Sequence, residues 1–67
     1  MKGSIKTRVI LMLDHEFEKT VDDLVNIKKQ IQQTNDFRMI AALAIKAAEL
    51  EDYADVLLGQ MQEVLEG

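Results

Sequence analysis

Residues 40 to 64 carry apolar side chains at alternating steps of three and four: Ile40, Leu43, Ala47, Leu50, Ala54, Leu57, Met61 and Val64. Every position of this stripe is apolar across about seven helical turns, and the whole chain lacks proline. A stripe of that period belongs to a long helix that buries one side against another helix. It constrains the architecture and names no chemistry.

A second stripe of the same period precedes it: Ile10, Leu13, Phe17, Thr20, Leu24, Ile27 and Ile31, with Thr20 as its one polar member. Thr34, Asn35 and Asp36 separate the two, and all three are good turn formers or helix N-caps. The pattern predicts a first helix from about residue 14, or from Ser4, to about Gln33. A turn follows at about residues 33–36, then a second helix from Asp36 or Phe37 to about Glu66. Two such helices on a short turn form an antiparallel hairpin, and roughly 28 residues at 1.5 Å each make helices about 40 Å long. Folding the chain about residue 35 brings Phe17 near Ala54 and Leu24 near Ala47, which sets large side chains against small ones. Gly59 costs up to about 1 kcal/mol relative to alanine inside a helix, so it marks either an early end or a close backbone approach.

The 67 residues form one helical-hairpin domain, 1–67, near the lower size limit for independent folding. Chains this short lean on disulfides, a metal or association. Cysteine is absent and His15 is the only histidine, which leaves association. Apolar residues also spill beside the stripes, at Val9, Val21 and Val25 in the first helix and at Met39, Ala41, Ala44, Ala48, Val56, Leu58 and Leu65 in the second. One hairpin has one contact line and leaves this width in water, whereas a homodimer forming a four-helix bundle covers it. The expected fold is therefore all-α, a helical hairpin that dimerises.

Charge narrows the function. The net charge of −4 opposes general nucleic-acid binding, which draws on a basic surplus. The run Val9–Leu13 is too short for a signal-peptide core, and Met39–Ile45 falls well below the roughly 20 residues that cross a bilayer. A cytoplasmic protein with no membrane contact is the expectation. Lys2, Lys6 and Arg8 open the chain, and the hairpin brings Lys6 and Arg8 towards Glu63 and Glu66. At mid-length Asp14, Glu16, Glu18, Asp22 and Asp23 sit level with Glu49, Glu51, Asp52 and Asp55, with Lys19 as the offsetting base. Such a belt reads either as a solvated surface or as a site for docking to a basic surface on another protein, with Glu18, Asp22, Glu49, Asp52 and Asp55 as the candidate contact residues.

No pattern of catalytic or metal-binding residues emerges. Di-iron bundles use Glu-x-x-His on two helices, whereas here the order is His15-Glu16-Phe17-Glu18, which makes His15 a surface residue. Ser-His pairing, a phosphate-cradling glycine loop and HExxH are all missing, and Ser4 reads as a helix cap. The expected function is non-enzymatic, without cofactor or metal: a protein-binding regulator, inhibitor or assembly adaptor acting as a small homodimer. A purely structural subunit, its apolar face covering a larger protein, is a further class.

Nucleic-acid binding is the competing class, in two versions. Ile5, Thr7, Val9, Leu11 and Leu13 also alternate as a strand would, with Asp14 placed as an N-cap. Over Lys6 to Leu24 this plan resembles the ribbon-helix-helix DNA-binding dimers, which implies readout through residues 5–13. The chain departs from that family in turning Ile10 and Met12 towards DNA, in a longer first helix and in lacking a glycine turn. In the second version, Lys28, Lys29, Arg38 and Lys46 surround the turn at Asp36. A homodimer of hairpins resembles the repressor-of-primer architecture in topology, without matching residues, and that resemblance implies binding of paired RNA loops. Phe37 is the one aromatic at this end, and its place in the first turn of helix two points to packing.

Overall fold

The computed structural model describes the backbone from Lys2 and the side chains from Ile5, each through Gly67. It contains two helices, α1 (Lys2–Gln33) and α2 (Phe37–Glu66), packed against each other as a hairpin. The molecule is a rod of 54 × 14 × 10 Å.

Residues 5–13 are helical and continuous with the rest of α1. The strand alternation therefore yields to the three-four stripe, which already runs through Ile10 and Leu13 into Phe17. The physical reason is backbone hydrogen bonding. A helix satisfies its N–H and C=O groups internally, while a lone strand leaves them unpaired. Asp14 is an interior helical residue and caps nothing, and Ser4 lies inside α1, its side chain outside the described residues.

Asp36 starts α2. Its backbone is extended, its carboxylate accepts the Arg38 N–H at 3.0 Å, and its carbonyl accepts the Ile40 N–H at 2.9 Å. The Arg38 N–H, one of the groups that a helix start leaves without partners, is thus satisfied, and the Ile40 bond is the first of the helix's own ladder. Thr34 Oγ1 accepts the Asp36 N–H at 3.4 Å and tightens the turn. At the far end, the Gly67 N–H closes on the Glu63 carbonyl at 2.9 Å.

Burial follows the two stripes. On α1 the buried or half-buried side chains are Ile10, Leu13, Phe17, Thr20, Leu24, Ile27 and Ile31. On α2 they are Ile40, Leu43, Ala47, Leu50, Ala54, Leu57, Met61 and Val64. Leu57 is the most enclosed apolar residue, at 3% exposure. Lys6 Nζ donates to the Leu65 carbonyl at 3.2 Å and Tyr53 Oη donates to Glu16 Oε2 at 3.3 Å. These two contacts fix the antiparallel register, and the second sets the neighbouring Phe17 and Ala54 at one height.

Gly59 neither ends α2 nor admits a neighbour. The helix continues to Glu66, and a Cβ at Gly59 would meet nothing within 4 Å. Phe37 does not pack either: it is 86% exposed. It sits in the first turn, off the line of Ile40 and Leu43, where α1 has already ended. No helix among the described residues is long and apolar enough to cross a membrane.

Candidate interaction surface

The hydrogen bonds and the ion pair define two long sides of the rod. One carries the Glu16–Tyr53 contact, and we refer to it as the tyrosine flank. The other carries Lys28 and Glu51, whose charged atoms lie 3.9 Å apart, and is the lysine flank. Helical spacing assigns the remaining exposed residues to these flanks or to the outward backs of the helices. Met12, Lys19 and Asp23 share the tyrosine flank of α1 with Glu16, while Lys46, Glu49 and Val56 share that of α2 with Tyr53. Asp14, Glu18, Val21 and Val25 share the lysine flank of α1 with Lys28, while Ala44, Asp55 and Leu58 share that of α2 with Glu51.

The five acids Glu18, Asp22, Glu49, Asp52 and Asp55 are all exposed, yet they do not form one patch. Glu18 and Asp55 lie on the lysine flank and Glu49 on the tyrosine flank. Asp22 is two residues from both Thr20 and Leu24, so it points away from the seam. Asp52 has the same relation to Leu50 and Ala54 on α2, so the two point in opposite directions. The acids share a height and encircle the rod. Lys28 also reaches Glu51, so Lys19 is not the only base that offsets them.

The expected approach of Lys6 to the α2 terminus takes a different form. Its hydrogen bond goes to the backbone carbonyl of Leu65, one of the acceptors left open at a helix C-terminus, where positive charge is favoured.

Two contacts escaped the linear pattern, the hydroxyl bond of the seam's Thr20 and the Tyr53–Glu16 contact. Thr20 is buried at 4% exposure, and its hydroxyl donates to the Glu16 carbonyl one turn back at 2.8 Å. Tyr53 closes on Glu16 across the helices. Partial burial, then the Glu16 charge and the hydrogen bond that it accepts, push the Tyr53 phenol above its ordinary value of 10.0. A tyrosine and a glutamate 37 positions apart carry a signal only once the register is known.

An open apolar groove of about 480 Å³ lies beside this pair, its walls including Met12, Leu13, Tyr53, Leu57 and Gln60. His15 is exposed at its rim. Among the described residues, no three His, Asp or Glu side chains are grouped to hold a metal ion.

Compared with protein families, curated proteins and solved structures, this chain matches none.

The surface itself is the most informative quantity. The rod exposes 5511 Å², whereas a compact monomer of its 7.6 kDa mass exposes about 4,300 Å². The surplus, about 1,200 Å², exceeds the roughly 800 Å² that each partner contributes to a stable interface. Large apolar side chains contribute to it on both flanks, among them Met12, Val56, Val25 and Leu58.

Proposed function

We propose that this chain is a non-enzymatic protein-binding module that works as a homodimer of hairpins, a four-helix bundle. The observation that carries this reading is the surplus exposed surface with large apolar residues beyond the seam, which a second hairpin would cover. The bundle then presents carboxylates to a basic surface on another protein, with Glu18 and Asp55 sharing one side. Cytoplasmic action as a regulator, inhibitor or assembly adaptor fits a module without a catalytic constellation. Sedimentation equilibrium at micromolar concentration tests the core of the reading. The expected mass is twice the 7.6 kDa chain. A monomer at that concentration overturns it.

One observation favours a second reading, nucleic-acid contact at the turn end. Phe37 is exposed beside Arg38, with Lys29 at the same end of the rod, and an exposed aromatic among bases suits an unpaired nucleotide. A gel shift with hairpin RNA would then weaken with salt and with Phe37→Ala. No shift at low salt ends this reading.

A further inference from the structure

We infer that the second copy docks on the tyrosine flank, with α1 of each copy lying along α2 of the other at equal height. This rests on the homodimer reading and goes further in naming the face and its pairing.

Charge complementarity selects the flank. Lys19 is three residues past Glu16 and Glu49 is four before Tyr53, so the Glu16–Tyr53 contact sets them at nearly one height. Asp23 and Lys46 are each seven residues from that contact, again level. When α1 of one copy faces α2 of the other, Lys19 meets Glu49 and Asp23 meets Lys46, and two-fold symmetry makes each pair twice. The same packing on the lysine flank sets Asp14 level with Asp55 and Glu18 level with Glu51. Those pairs are acid against acid. Like charges brought together at an interface are unfavourable, and they discriminate strongly against the wrong arrangement.

Apolar side chains are available on both flanks, with Val21, Val25 and Leu58 on the lysine flank, so the charges decide between them. Met12 and Val56 are level on the tyrosine flank and both exposed, Met12 at 70%. In the dimer, Met12 of one copy lies over Val56 and the groove of the other, where its unbranched side chain fills an irregular space. The surplus surface is enough for one such interface. Docking here leaves Asp14, Glu18 and Asp55 outward on the opposite side of each hairpin, free for a basic partner.

The test uses Lys19→Glu and Glu49→Lys in the full chain, with sedimentation equilibrium as readout and circular dichroism to confirm helix content. Each variant alone places like charges at two symmetric contacts, and dimerisation is expected to weaken about tenfold. An equimolar mixture of the two variants is expected to regain wild-type dimerisation as heterodimers, since each copy supplies the charge that the other needs. A pair formed within one hairpin cannot give that rescue. Val25→Gln on the lysine flank is expected to leave the dimer unchanged. Should the wild type be monomeric, the homodimer reading fails and takes this inference with it. A wild-type dimer that ignores both charge reversals, or a mixture that does not recover, overturns the face assignment alone.

Discussion

Replacing Thr20 with valine should leave the stability of this protein nearly unchanged, against the usual direction of substitutions at a buried hydrogen-bonded residue. Thr20 is the one polar side chain in the seam and is almost fully enclosed. Its hydroxyl bonds the Glu16 carbonyl at 2.8 Å, an oxygen that the α-helix already supplies with the Thr20 N–H. Removing the hydroxyl therefore leaves no acceptor without a partner. The lost hydrogen bond is worth about 0.5–1.5 kcal/mol net. Against it stands the buried methyl, about 0.8 kcal/mol, the hydroxyl's desolvation being already contained in the net hydrogen-bond value. Threonine and valine have similar helix propensities, so that contribution cancels. The balance lies within about 1 kcal/mol of zero, which for a domain of this size keeps the Tm shift below about 4–8 °C. Thermal and urea unfolding followed by circular dichroism at several protein concentrations measures it and separates folding from association. A loss of 1 kcal/mol or more would refute the reasoning, because it would mean that the hydroxyl has a partner outside its own helix.

Three further outcomes follow from the same geometry. Gly59→Ala should add up to about 1 kcal/mol, since the helix continues through that position and the new Cβ meets nothing; a destabilised variant in urea melts would show that a backbone does come close there. Asp36→Ala should cost about 1 kcal/mol by orphaning the Arg38 N–H, with Asp36→Asn recovering most of it; equal stability of the alanine and asparagine forms would refute the cap. Tyrosinate absorbance should titrate above 10.0 in the folded protein, return towards 10.0 in urea, and move down with Glu16→Gln. The sign follows from linkage. A phenol that holds its proton longer when folded contributes stability that is complete below 10.0 and is lost as pH rises through the folded value. A folded midpoint at or below 10.0 would contradict it.

Height along the rod was legible in the sequence; angle around it was legible only in part. The stripes from Ile10 to Ile31 and from Ile40 to Val64 repeat within single helices, so three-four counting finds them without knowledge of a partner. Asp36 announces the helix start through its own chemistry. Ile5 to Leu13 was ambiguous because a short apolar run satisfies both periods, and only its continuation into Phe17 decides. Phe37 was misplaced because hydrophobicity says that a residue gains from burial, not that an opposing helix extends far enough to bury it. Gly59 stands two residues from both Leu57 and Met61, so spacing already turns it away from the seam, where a Cβ meets nothing.

The acidic belt shows why angle matters for function. Counted along the chain, nine carboxylates crowd one level and look like a single contact surface. Resolved around two helices whose seams face each other, Asp22 and Asp52 point in opposite directions, and Lys28 takes up part of the charge at Glu51. What remains is asymmetry between two sides. The tyrosine flank alternates Lys19, Asp23, Lys46 and Glu49, a pattern that a symmetric copy can satisfy. The lysine flank gathers Asp14, Glu18, Glu51 and Asp55 against Lys28 alone, a pattern that repels a copy and attracts something basic. A chain of this size can therefore divide self-recognition from partner recognition without a second domain, provided that its charges are sorted by side rather than by height.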